Sequence, residues 1–297
     1  MNSSNSPLNT PPKVHRRTKG SGHGMIRRLM SPSDLGELLK PFVFLDLFSM
    51  NRSSAAAMAD MPVHPHSGIA TVTVITEGHL VYQYPSGKSG QIGYGGSEWM
   101  LAGGGVWHGK EMAPGQVDAI QGFQLWLAMP PEFENSAPNG HFYEAADMAQ
   151  TGPAHVILGQ YQGIQSPIPA PEGINYLLVT LAAEESWTYS PPKGHGLTWL
   201  AVAKGELLSD EPIQAGEMVV FEPAGSDLTL TASATDGAVF VLGSAVAHPY
   251  PLHLGYYSVH TSQQALADGE RQIAELGKKM RAQGNQPTQA GTTPVYL

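Results

Sequence analysis

The chain contains no cysteine among its 297 residues. Disulfide frameworks, thiolate catalysis, zinc ribbons and iron–sulfur ligation are thereby excluded, and any metal must rest on histidine and carboxylate ligands. Charge is scarce as well: 14% of residues are Asp, Glu, Lys or Arg, against ~25% in an average globular protein. Lys and Arg total 16 and Asp and Glu 25, so a net charge of −9 offers no positive field for a phosphate backbone. Direct nucleic-acid binding is not expected. There is no run of ~18 apolar residues and no charged-then-apolar leader at the start, which predicts a cytoplasmic protein with no membrane span. Gly and Pro, by contrast, are abundant at 34 and 24, and residues that interrupt the helical hydrogen-bond ladder argue against a bundle or coiled coil. A hydrophobic share of 41% can fill a large core, and the length suits about two domains.

Residues 1–24 are Ser, Asn, Pro and Gly with a short basic patch of Lys13, Arg16, Arg17 and Lys19. They read as a disordered or loosely attached tail. SPSDLGELL predicts one short helix leading into a buried strand, PFVFLDLF. Short apolar runs follow between Gly-rich turns: IATVTVI (69–75), HLVYQY (79–84), SEWMLA (97–102), GGVWH (104–108) and FQLWLAM (123–129). Their β-branched content and spacing predict an all-β barrel or sandwich. A second set has the same grammar: INYLLVTLA, SWTYS, LTWLAVAKGEL, EMVVFEP, LTLTA and GAVFVLGSA. TVTVITEGHL and TWLAVAKGEL share a long strand, a tight Gly turn and a return, which points to an internal duplication of a small β-barrel. The segment 131–170, rich in Pro, Gly and Gln, reads as the link. After His260, Thr261 and Gln264 form a capping-box pattern, and Leu266, Ile273, Leu276 and Met280 follow at helical spacing. The expected organisation is a tail over 1–24, a first barrel over 25–150, a second barrel plus a short C-terminal helix over 151–282, and a loose tail over 283–297.

The sharpest local feature is HPHSG. On a strand, residues two apart share a face, so His64 and His66 would aim both imidazoles at one point. About forty residues on, GGGVWHGKEM supplies His108 as a third nitrogen and Glu111 as a carboxylate. Histidines and a carboxylate on neighbouring antiparallel strands can build a mononuclear site with open positions for water, O₂ or substrate. The alternative leaves His108 hydrogen-bonded in a Gly-rich loop and Glu111 solvated. The second half has no HxH, and His195, His248 and His253 read as structural or surface residues, so a metal site is expected only in the first barrel. Trp99, Trp107, Phe123 and Trp126 lie on its strands, mostly as core, with one or two at the mouth of a pocket.

The ordered run PFVFLDLF, HPHSGIATVTVITEG, SEWMLAGGGVWHGKEM and GFQLWLAMP, resuming in GSAVAHPYPLHLGYYSVHTSQQALADG, resembles the pirin family, a branch of the cupin superfamily. The resemblance implies two jelly-roll-like cupin barrels in one chain, with one iron in the first. Carried over, the ligands are His64, His66, His108 and Glu111, holding Fe(II) or another divalent transition metal. The chain departs from the pattern in three places. His108-Gly109-Lys110-Glu111 stands where the family usually has His-x-Glu. Ala70 replaces an acidic residue, and Tyr94-Gly95-Gly96-Ser97 replaces a Pro-Gly-Asp turn. In an unbroken strand Lys110 would take the ligand face, whereas a bulge at Gly109 would restore Glu111.

Two functions follow from the resemblance. The first is a dioxygenase of the quercetin 2,3-dioxygenase type acting on a small flavonol-like aromatic, with Glu111 as base or ligand and Lys110 pairing with the substrate oxyanion. The second is a non-enzymatic, iron-dependent redox-sensing module that binds a protein partner. A barrel whose metal site has decayed is a third reading. An accessible, substrate-sized pocket over His64 and His66 would favour the first.

Overall fold

The computed structural model describes residues 12–54, 62–84, 87–109, 111–223, 227–282 and 284. It is predominantly β, with one long helix, Gln263–Ala282, at its C-terminal end. The first half centres on a seven-stranded antiparallel sheet. Its order is Asn139–Tyr143, Ser97–Leu101, Ile69–Glu77, Ala119–Ala128, Phe42–Asn51, Ile26–Met30 and Ser21–His23. The three-stranded sheet of Met112–Pro114, His79–Gln83 and Ser89–Gly93 and the two-stranded ladder of His64–His66 with Val106–His108 complete that half.

The second half repeats the strand order. Met218–Phe221, Leu197–Leu208, Ala238–Ala245, Ile174–Leu181 and Ala154–Leu158 neighbour one another in the same sequence of connections as Ser97–Leu101 through Ile26–Met30. This is the duplication the strand grammar predicted, and the fold is a pair of cupin-type barrels.

The edges of the second sheet correct the sequence reading. Residues 14–18, expected in a loose tail, form the strand Val14–Thr18, antiparallel to Met218–Phe221. It occupies the edge position that Asn139–Tyr143 holds in the first sheet. Arg17, read as part of a solvated basic patch, bonds Glu217 at 2.8 Å and Glu211 at 2.9 Å, and Val14 packs on the second core. An open sheet edge supplies the main-chain partners that composition cannot reveal. Residues 1–11 and most of 283–297 lie outside the described residues. The supposed link 131–170 also contributes ladder strands: Asn139–Tyr143 pairs with Ser97–Leu101, and Ala154–Leu158 with Ile174–Leu181.

The short helix, Leu35–Leu39, starts where expected, with the Asp34 carboxylate accepting from the Leu35 N–H. The long helix is capped one residue later than predicted. Ser262 Oγ accepts from the Ala265 N–H at 3.1 Å, while Thr261 gives both its N–H and its hydroxyl to the buried Glu134. Leu266, Ile273 and Met280 face inward. One buried apolar cluster runs through both halves, from Leu45, Val72 and Phe123 to Tyr176, Trp199 and Val241, and Phe42 meets the Trp199 ring edge-on at 5.2 Å.

Candidate metal centre

His64–His66 and Val106–His108 form an antiparallel ladder in which His108 lies opposite His64 and Val106 opposite His66. Period-two alternation puts His64 and His66 on one face, and the register adds His108 to it. The imidazole centroids are 5.0 Å apart for His64 and His66, 4.5 Å for His64 and His108, and 5.0 Å for His66 and His108. One ring nitrogen from each lies within 4.8 Å of the other two.

Each ring has its Nδ1 against an acceptor. His64 Nδ1 is 3.3 Å from the Pro62 carbonyl, His66 Nδ1 is 3.0 Å from the Tyr257 carbonyl, and His108 Nδ1 is 2.6 Å from Glu111 Oε1. A carbonyl can only accept, so for His64 and His66 these contacts place the proton on Nδ1 and leave Nε2 as a lone-pair donor. His108 Nε2 is buried and has no hydrogen-bond partner. Two neutral imidazoles with free Nε2 atoms, beside a third whose buried Nε2 is unpartnered, are the donor chemistry of a divalent transition metal.

The electrostatics divide the three rings. Burial, and next the neighbouring His108, lowers the pKa of His64 to about 4. Burial, followed by the same neighbour, holds His66 well below its ordinary range. Burial also opposes charge on His108, but the Glu111 carboxylate outweighs it and the net shift is upward. Glu111 shows the reciprocal effect: burial alone would raise it, yet the charge and hydrogen bond of His108, with the Gly109 N–H, bring it down to about 2.

The His-x-x-Glu spacing is resolved by a break in the strand. It ends at His108, and Gly109 takes φ +127, a region open to glycine. Glu111 folds back, with Oε2 accepting from the Gly109 N–H at 2.8 Å. Both carboxylate oxygens therefore serve the loop and His108. Lys110 lies outside the described residues.

A second buried carboxylate had no motif to announce it. Glu98, 1% exposed, groups with His108 and Glu111. Oε2 accepts from the Thr73 hydroxyl at 2.5 Å, and Oε1 is buried without a hydrogen-bond partner. Burial, then the neighbouring Glu111 charge, raises its pKa to about 7. The one signal in the sequence is an ionisable residue inside the apolar strand SEWML.

The imidazoles line a cavity of about 360 Å³ with mostly apolar walls, including Phe44, Phe48, Met50, Leu80 and Trp126. Phe44 and Trp126 stack at 4.1 Å, Trp126 meets His66 edge-on at 4.8 Å, and Arg28, paired with Asp46, caps the Phe44 ring at 4.1 Å. Of the four aromatics singled out, Trp99 and Phe123 are core, Trp107 donates to the Ile273 carbonyl of the long helix, and Trp126 lines the cavity. Ser67, His260 and Glu134 stand in a relay-like row, with Ser67 Oγ 3.0 Å from His260 Nε2 and His260 Nδ1 3.3 Å from Glu134. All three are buried and none lines the cavity; the row ties the C-terminal strand Ser258–His260 to the loop after His66. In the second half His195 Nδ1 bonds Ser244 Oγ at 2.7 Å, His248 is buried, and His253 lies in a hairpin strand. No helix among the described residues is long and apolar enough to cross a membrane.

Residues 24–127 match the family model described as Pirin. A pirin-like protein of Caulobacter vibrioides is 30% identical over 227 residues, covering 76% of this chain and 71% of that protein. A Vibrio cholerae protein provisionally named a quercetin 2,3-dioxygenase is 29% identical over 243 residues, covering 77% and 84%. Among solved structures, a quercetin 2,3-dioxygenase of Acinetobacter baumannii superposes with a TM-score of 0.74 at 19% identity, covering 97% of this chain and all of that one.

Proposed function

This chain belongs to the pirin family, and from that premise we propose that it is a mononuclear iron dioxygenase of the quercetin 2,3-dioxygenase type acting on a flavonol-like aromatic. The observation that carries the reading is the convergence of three imidazoles, each with Nδ1 against an acceptor, in the wall of a cavity large enough for a small planar ligand. His64, His66 and His108 would hold Fe(II), or another divalent transition metal in its place. When bound, such an ion polarises a coordinated hydroxyl and brings O₂ beside it.

The chain's own residues supply placement. The Phe44–Trp126 stack and the methionine and leucine walls take up a flat aromatic body and exclude water. Glu111 keeps the His108 ring in one orientation, beside the role as ligand or base that the family resemblance implies for it. The Vibrio and Acinetobacter names support the substrate class. An apolar cavity of this size also favours a small-molecule enzyme over a module that only binds protein.

Elemental analysis of protein purified without chelator, beside a His64→Ala/His66→Ala control, tests the site. We expect about one iron per chain in the parent and none in the control. Oxygen uptake and loss of flavonol absorbance then test the reaction. An iron-loaded protein that consumes neither flavonol nor O₂ would refute the dioxygenase reading.

A further inference from the structure

Among the described residues lining the cavity, all but one come from positions 25–126, the exception being Tyr257. It sits in the hairpin formed by His253–Gly255 and Ser258–His260, more than a hundred residues beyond the family match. Its carbonyl is the acceptor 3.0 Å from His66 Nδ1. Its ring lies 5.8 Å from His64, 5.9 Å from His66 and 6.5 Å from Trp126, and the residue is 44% exposed.

Tyr257 is in the left-handed region at φ +55, which costs a non-glycine residue energy and persists only where neighbours impose it. The neighbours are present. The Tyr256 N–H donates to Glu270 of the long helix at 2.9 Å, and Ser258 Oγ donates to the Tyr256 carbonyl at 3.0 Å. Ser67, next to His66, donates to Ser258 Oγ at 2.8 Å, and His260 is held by Ser67 and Glu134. The helix and the loop after His66 thus hold the turn from both sides, and the strained residue is the one whose carbonyl meets His66.

We propose that Tyr257 is a positioning residue of the metal centre, its carbonyl setting the His66 imidazole and its ring forming the wall that presses a planar aromatic ligand toward the histidines. The ring half rests on the dioxygenase reading; the carbonyl half needs only a metal.

Nickel(II) affinity by equilibrium dialysis and flavonol titration of the nickel-loaded protein, followed by absorbance, separate the two. Tyr257→Gly keeps the carbonyl and suits the positive φ. We expect it to bind nickel like the parent and to lose flavonol affinity roughly three- to tenfold, with Tyr257→Phe restoring it. Tyr257→Pro cannot reach this φ and should weaken nickel binding by about tenfold or more, with the far-ultraviolet spectrum of the parent. Equal nickel losses in the Gly and Pro variants would overturn the carbonyl role, and flavonol affinity unchanged in Tyr257→Gly would overturn the ring role. A parent that takes nickel but no flavonol would remove the dioxygenase reading and the ring role together, while the nickel arm still decides the carbonyl. Should Tyr257→Pro fail to fold, nitrogen-15 histidine spectra of Tyr257→Gly decide it. His66 as the Nδ1–H tautomer supports the role; Nε2–H overturns it.

Discussion

Two buried carboxylates a few ångströms apart, Glu98 and Glu111, have opposite electrostatics because both lie near His108 but only Glu111 is hydrogen-bonded to it. Glu111 holds His108 and stays ionised, whereas Glu98 has a hydroxyl on one oxygen and nothing on the other. Its pKa rises from 4.5 to about 7, with burial the leading cause. The folded state then holds a proton that the unfolded chain releases above about 4.5. The stability tied to Glu98 is therefore full below that pH, falls as pH climbs toward 7, and levels off above. In metal-free protein, Glu98→Gln should be more stable than the parent at pH 8 by about 2–3 kcal/mol and nearly equal to it at pH 5. Urea melts at both values measure this, and parallel pH profiles for the two proteins would contradict it. The HPH pair was legible in the sequence because strand alternation alone puts two imidazoles on one side. Glu98 was not, because its neighbours His108 and Glu111 are brought to it by strand pairing and by the turn at Gly109.

At the scale of elements, the His64–His66 strand is held as much by what crosses it as by its own ladder. Gly68 follows His66 by two residues at φ +76, and a Cβ there would lie 2.0 Å from the Val259 carbonyl. Gly68→Ala should cost at least about 2 kcal/mol, seen as a lower denaturation midpoint, and should weaken metal binding by prising the C-terminal strand from the His66 loop. An unchanged midpoint would show that the loop gives way freely. The helix cap offers a smaller test. Ser262→Ala removes the hydroxyl that accepts from Ala265 and should lower stability by about 1 kcal/mol, whereas capping through Thr261 would leave that substitution neutral. Thr261 was a reasonable reading of the local pattern, but the buried Glu134 takes both of its donors. Local capping rules lose to a carboxylate that needs hydrogen-bond donors once it is buried.

Across the whole molecule the two barrels are not separable units. The Val14–Thr18 strand closes the edge of the second sheet, one apolar cluster spans both halves, and the C-terminal hairpin reaches the histidines of the first. Calorimetry should accordingly show one cooperative unfolding transition, with calorimetric and van't Hoff enthalpies in agreement. Two resolved transitions would mean that the shared core does not couple the halves.

The amino-acid order alone determined the β class, the duplication and the shared face of His64 and His66, since these depend on periodicity and on residues two apart along one strand. The strand role of residues 14–18, the carboxylate of Glu98, the cap at Ser262 and the contribution of Tyr257 were decided only in three dimensions. Each depends on partners 10 to more than 200 residues away in the chain, and no local pattern carries the register, open edge or buried acceptor that makes such a pairing favourable.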